Sequence, residues 1–312
     1  MLGRGVAAQL LGAGPHCLVS QDVRDVVADA DLFMLNLECC ISDRGERWPA
    51  PGKRFFFRAP PLAVEALTWL GVDAVTLANN HALDFGPVAL IDTVELLAQA
   101  GILVVGAGPD EERAREPVVV EAGGLQVGIL GFTDHPVDFA AGPNRPGVAY
   151  ADLHAHSEPA WVLDAVDRLR GRADVVLVTP HWGPNMTSAP PESVRRCARA
   201  LRVAGADLVA GHSAHVPHGV ANAICFDLGD FVDDYAVDPL LRNDLGLLFL
   251  VTIEDGRSVH VRAVPLALEY CHTRLAVGEE YRWMSHRFTA ACAELGSEAI
   301  LGDGTGLVVR WA

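Results

Sequence analysis

The chain has 312 residues, half of them hydrophobic, which is enough for one large α/β domain or two small ones with a substantial buried core. Asp and Glu outnumber Lys and Arg by 40 to 24, a formal charge of −16 that argues against nucleic acid as a general partner. The seven cysteines, at 17, 39, 40, 197, 225, 271 and 292, show neither a CxxC nor a zinc-finger spacing and read as reduced core thiols of a cytoplasmic protein.

Apolar β-type runs alternate with helical patterns from residue 32 onward. LFMLNLE at 32–38 reads as a strand, 60–70 as a helix, DAVTLA at 73–78 as a strand, 87–100 as a helix and ILVVGAG at 102–108 as a strand. That alternation predicts parallel pairing. PVVVEAGGLQVGILGF at 117–132 predicts two strands around a tight Gly-Gly hairpin, so the fold is expected to be mixed. A helix at 157–171, a strand at 174–180, a helix at 191–204 and a strand at 207–211 follow. ICFDLGDF at 224–231 and the run 245–266, turned by Glu-Asp-Gly-Arg, supply further strands. No low-complexity linker or repeat divides the chain, so a single domain over 1–312 is expected, with 245–312 as its C-terminal strands and extension. No leader pattern and no apolar run long enough to span a bilayer is present, so the chain as given carries no membrane anchor.

Polar residues gather where these strands end. MLNLE closes on Asn36 and Glu38, VTLANNH on Asn79, Asn80 and His81, LVTPHWG on His181, and LVAGHSAHVPHG on His212, His215 and His218. The carboxyl edge of an open α/β sheet is where ligands bind, so distant segments can converge there on one cavity. A carboxylate, an amide oxygen and neutral imidazoles form a mixed N/O donor set suited to Mn, Fe or Zn. Gly211 is expected to let the chain turn sharply, so that His212 and His215 reach one side of the turn. Asn36 and Asn79 are expected to hold loop geometry by local hydrogen bonds. Lys53 and Arg54 read either as contacts to an anion or as flanks of a buried Phe55–Phe56–Phe57 segment.

LNLE, LANNHALDFG, HWG and GHSAHVPHG, in this order, resemble the CapA-type poly-γ-glutamate biosynthesis proteins of the calcineurin-like metallophosphoesterase superfamily, over residues 1 to about 235. The resemblance implies a four-layer αββα sandwich with two mixed β-sheets and one or two divalent metal ions at the strand ends. It makes Glu38 a bridging carboxylate, Asn80, His181 and His212 ligands of one ion, and His215 a ligand of the other. His81 corresponds to the histidine that steadies or protonates the transferring oxygen, with Asp84 to orient it. His218 stands where related sequences often carry glutamine and reads equally as a substrate-facing group or a loop residue.

Members of that family typically begin with an apolar strand and a Gly-Asp-x-Met-Leu motif whose aspartate binds the first metal; here MLGR at 1–4 matches only its second half. Either the start was assigned internally or the ligand is lacking, and a missing leading segment would make a membrane-associated or extracytoplasmic site possible. Arg4 is a candidate contact to an anionic group. The expected activity is metal-dependent hydrolysis of a phosphoester or a γ-glutamyl-type amide, with a small-molecule or polymeric, anionic substrate. The competing expectation is a non-catalytic binding or assembly protein of polymer biosynthesis; the sequence leaves the oligomeric state open.

Overall fold

The computed structural model describes residues 1–153, 159–302 and 306–311. Its strands Met34–Asn36, Ala74–Thr76 and Leu103–Val105 form a parallel sheet with Ala74–Thr76 in the centre. A six-stranded sheet places Leu208–Ala210, Val175–His181 and Leu125–Thr133 in parallel at its middle. Val118–Ala122 and Val220–Ala221 close its two edges antiparallel. Both sheets are therefore built as the alternation of strands and helices requires, with an antiparallel hairpin added at 118–133.

The hairpin turns on Gly123 and Gly124, at φ +55° and +80°. A two-residue connection that matches the twist of its strands needs positive φ at both central positions, which only glycine adopts without cost. The Glu-Asp-Gly-Arg turn works the same way, joining Leu245–Glu254 to Arg257–Glu269 in a C-terminal antiparallel sheet.

Period-two alternation assigns each strand two buried faces. Ile129, Val175 and Leu177 point into a core shared with Ala74 and Val105 of the three-stranded sheet. Leu130, Val176 and Val178 point the other way, against Val162, Val166 and Leu169 of helix Ala160–Arg170 and Cys197, Ala198 and Leu201 of helix Glu192–Ala204. On the three-stranded sheet, Val75 faces Leu67 of helix Ala63–Leu70 and Leu90 and Leu97 of helix Gly86–Gln99. Ala74, Val105, Ile129 and Leu177 thus share one core between the two sheets, while helices pack against Val75 of one and Val176 of the other.

Three features differ from expectation. The strand predicted over 224–231 ends at Cys225, and the residues after it carry Asp227, 1% exposed, and Asp230, whose side chain is 9% exposed. Helices Arg4–Ala13, Gln21–Val27 and Gly278–Glu294 were not anticipated, since their apolar positions are diluted by Gly, Ala and charged residues. The helix expected from 157 begins at Ala160, and residues 157–158 lie outside the described part. None of the seven cysteines is joined in a disulfide. Among the described residues no helix is long and apolar enough to cross a membrane.

Candidate functional site

The carboxyl ends of the two sheets carry the polar residues. After Met34–Asn36 the chain places Glu38, 4% exposed, whose Oε2 accepts from Asn36 Nδ2 at 3.0 Å. Asn36 Oδ1 in turn accepts from Asn79 Nδ2, which also donates to the Leu37 carbonyl at 2.9 Å. Asn79 Oδ1 receives the His81 backbone N–H at 3.0 Å. Asn36 and Asn79 thus stitch the two strand ends together, and that stitch presents Glu38 and His81 to each other with Oε1 and Nε2 3.9 Å apart.

His81 is fixed from behind. Its Nδ1 lies 2.6 Å from Asp84 Oδ2, which also accepts the Phe57 backbone N–H at 2.7 Å. A buried carboxylate on Nδ1 sets the tautomer and leaves Nε2 as the working nitrogen. The second Asp84 oxygen meets Lys53 Nζ at 2.5 Å as an ion contact, and Lys53 also donates to the Asn80 carbonyl at 2.7 Å. Lys53 therefore faces inward, while Arg54 stays on the surface. Of the three phenylalanines, only Phe57 is fully buried, its ring 4.6 Å from that of His81.

On the six-stranded sheet, the parallel ladder that pairs Leu177 with Leu208 continues as a bridge between His181 and His212. Trp182 N–H donates to the His212 carbonyl and His212 N–H to the Pro180 carbonyl, both at 3.0 Å. Side chains at matched positions on neighbouring parallel strands stand side by side, so the two rings meet with Nδ1 to Nδ1 at 2.8 Å. Burial, and then the neighbouring His212, His135, His215 and His81, hold His181 well below the usual imidazole range. Burial, with His135 and His215, pushes His212 down to about 3. Both shifts favour the neutral imidazole, the state in which the ring can ligate a cation.

Gly211 does not make the turn. Its space is taken instead, since a Cβ there would come within 2.4 Å of both the Phe226 carbonyl and Trp182 Nε1. The turn falls on Ser213 at φ +133° and His215 at φ +63°. A left-handed, non-glycine backbone costs on the order of 1–3 kcal/mol and persists where its surroundings over-determine it. Here the surroundings are Asp227, 1% exposed, which accepts Ala214 N–H at 2.7 Å and Gly229 N–H at 2.9 Å. Asp227→Ala leaves two buried donors without a partner and is expected to destabilise the chain by about 2–4 kcal/mol, read from a denaturation midpoint. Asp227→Asn, which keeps an acceptor oxygen, is expected to cost less.

His215 Nδ1 lies 3.0 Å from Asp230 Oδ1. Burial opposes its charge, but Asp230, Glu38 and Asp227 together outweigh that and raise it to about 10. His218 stands apart: buried, it bonds the Thr187 carbonyl through Nε2 at 2.8 Å, and burial brings it down to about 4. At 3% exposure His218 is not a solvated loop residue, and its Nε2 is occupied by the Thr187 carbonyl. Arg4 pairs with Asp234, Nε to Oδ2 at 3.3 Å, and lies over the Phe55 and Phe57 rings at 5.0 and 5.7 Å.

The sequence reading passed over His135, Asp134 and Asp230. His135 lies 5.1 Å from His181, ring centre to ring centre, and Asp134 Oδ2 accepts Gly183 N–H at 3.0 Å. Thr133-Asp134-His135 closes the strand paired with 175–181, so the strand-end rule that picked out His181 applies equally to it.

Several buried acceptors at this edge have no donor: Glu38 Oε1, Asn80 Oδ1 and Asp230 Oδ2, together with the ring nitrogen His181 Nε2. A buried lone pair left unpaired costs about 1–3 kcal/mol, which a cation would recover. That donor chemistry, oxygen and imidazole nitrogen mixed, fits a divalent ion such as Mn, Fe or Zn. Glu38, Asn80 and His181 would hold it, with His212 and His215 beside them.

Comparison with known proteins adds the following. The family model described as bacterial capsule synthesis protein PGA_cap matches residues 1–235. A probable polyglutamine synthesis accessory protein of Mycobacterium tuberculosis (strain CDC 1551 / Oshkosh) is 33% identical over 290 residues, 86% of this chain and 74% of that one. The PGA biosynthesis protein CapA of Bacillus subtilis (strain 168) is 35% identical over 178 residues, 55% of this chain and 45% of that one. The capsule biosynthesis protein CapA of Bacillus anthracis is 32% identical over 222 residues, 70% of this chain and 53% of that one. The match thus spans about half the length of the two Bacillus relatives.

Proposed function

This chain belongs to the bacterial capsule synthesis protein family PGA_cap, and from that membership we propose that it is a metal-dependent hydrolase acting on a phosphoester or a γ-glutamyl-type amide in polymer biosynthesis. The observation that carries the proposal is the set of buried, unpartnered atoms Glu38 Oε1, Asn80 Oδ1 and His181 Nε2 beside an oriented histidine. The architecture we propose around it is a four-layer αββα sandwich, supported by the core shared between the two sheets and by the helices on their outer faces.

One or two divalent ions held by Glu38, Asn80, His181, His212 and His215 would supply Lewis-acid polarisation and activated water. The chain's own residues do the rest. Asp84 holds Nδ1 of His81 so that Nε2 faces the Glu38 side of the cleft, where it can hold or deliver a proton at a leaving oxygen. Lys53 balances the charge of Asp84 without touching the imidazole. Asp230 orients His215 through Nδ1, and the proton on Nε2 of the raised imidazole would have to leave before that nitrogen could hold an ion. His181 and His212 stay neutral through burial and mutual contact, ready to ligate.

The test is turnover by chelator-stripped protein recharged with Mn, Fe or Zn, on nitrophenyl phosphoesters and a γ-glutamyl nitroanilide. Metal-dependent release of nitrophenol or nitroaniline is expected. No release with any ion would move the balance to the second reading, a non-catalytic binding or assembly protein. One observation favours that reading: among the described residues no three His, Cys, Asp or Glu side chains stand close enough to hold an ion as placed.

A further inference from the structure

The sheet that carries His181 and His212 supplies a third imidazole that the proposed reaction does not use. His135 comes two residues past the end of strand Leu125–Thr133, and its ring centre lies 5.1 Å from that of His181. Thr133 ties down its backbone, since the hydroxyl donates to the His135 carbonyl at 2.7 Å and accepts the His135 N–H at 3.3 Å. Asp134, 6% exposed, holds the ring: one carboxylate oxygen meets His135 Nδ1, and the other accepts Gly183 N–H at 3.0 Å. The chain then runs to the buried Phe139, packed on Trp48 with ring centres 5.2 Å apart and with Lys53 Nζ 4.9 Å from its own ring centre. Lys53 is the partner of Asp84. His135 therefore stands on a segment fixed at its start to one sheet and at its far end to the group that orients His81.

Each sheet thus presents one imidazole with a carboxylate on Nδ1, His81 with Asp84 and His135 with Asp134. They differ in exposure. The His81 side chain is 8% exposed and its Nε2 faces Glu38, whereas that of His135 is 34% exposed and, among the described residues, its Nε2 has no hydrogen-bond partner. A carboxylate on Nδ1 fixes the tautomer and the direction of the ring, so Nε2 is the atom left to bind. We propose that His135 is a substrate-binding residue, its Nε2 hydrogen-bonded to the part of the substrate that flanks the bond served by His81, with Asp134 as the positioning residue that aims it. The half-exposed ring suits the portion of a molecule that reaches out of the cleft, as the buried ring suits the bond inside it. The inference rests on the hydrolase reading only for what the bound molecule undergoes. A contact made equally to ground state and transition state acts on KM, whereas one that delivers a proton acts on kcat.

Binding and turnover are read separately, so that a failed contact and a failed hydrolase are different results. In a proton–carbon NMR spectrum of the full chain labelled in its histidine rings, the His135 signal, identified by its absence from His135→Gln, is expected to shift on addition of bis(p-nitrophenyl) phosphate or γ-glutamyl p-nitroanilide. In turnover of the same compounds, His135→Ala is expected to raise KM by about three- to tenfold, the loss of one hydrogen bond, and to change kcat by less than about twofold. His135→Gln, whose amide reaches about as far as Nε2, is expected to recover part of that loss. Asp134→Asn keeps an acceptor for Gly183 N–H but turns the ring to its other tautomer, and is expected to raise KM as well, which a merely structural part for His135 would not do. His286→Gln, a change at an exposed histidine of helix Gly278–Glu294, is expected to move neither KM nor the His135 signal. A shifted signal without turnover upholds the contact and sinks the hydrolase. The proposal is overturned if neither compound moves the His135 signal, if His135→Ala lowers kcat and leaves KM as it was, or if that variant loses bound metal.

Discussion

On the proposed hydrolase function, replacing His81 with glutamine is expected to lower turnover by about 10²–10⁴-fold and to leave the proposed divalent ion in place. The expectation follows from what holds the ring. Asp84 and the edge of Phe57 fix its orientation, and its free nitrogen faces Glu38 across 3.9 Å without a hydrogen bond. None of the unpartnered atoms assigned to the ion belongs to His81, so glutamine removes a proton carrier and not a ligand. The loss should appear in kcat more than in KM, because a proton delivered to a leaving oxygen matters in the transition state. Metal content and the circular dichroism spectrum are measured on the same sample. Unchanged turnover, or turnover lost together with the metal, contradicts the role assigned here.

The second large effect is on stability. Lys53→Met keeps the aliphatic stem and removes the ammonium that meets Asp84, whose side chain is 0% exposed. Breaking a buried pair by removing one partner costs about 3–5 kcal/mol, since the remaining charge stays buried. Lys53 is itself 18% exposed, so some water can replace it and the lower end of that range is expected. A fall of about 5–15 °C in the unfolding midpoint corresponds to it. Lys53→Met/Asp84→Asn should recover part of the loss, because the uncompensated charge is gone. A single variant as stable as the parent would mean that Lys53 contributes nothing through Asp84.

Much of the layered arrangement was legible because its signals are local. Val175-Val-Leu-Val alternates between two buried faces, and Gly123-Gly124 meets the one backbone demand of a tight hairpin. A positional rule, polar residues at strand ends, singled out Glu38, Asn80, His81, His181, His212 and His215, which all lie at or after the ends of strands of the two sheets. The rest depends on contacts between segments far apart in sequence. Lys53 is 31 residues from Asp84, and nothing near it in the chain reveals that it turns inward. Gly211 looks like a turn residue and is instead a close-approach residue, because Trp182 and Phe226 arrive from other strands. Asp230 stood in what reads as an apolar strand, and only the fold turns it toward His215.

The central claim is that the buried acceptors at the strand ends hold a divalent ion. Elemental analysis of chelator-free protein tests it most directly, for the parent chain and for Asn80→Ala/His181→Ala. At least one Mn, Fe or Zn per chain in the parent, lost in the double variant while its fold is retained, is the predicted result. Parent protein without bound metal, and with an unfolding midpoint that none of these ions raises, would contradict it.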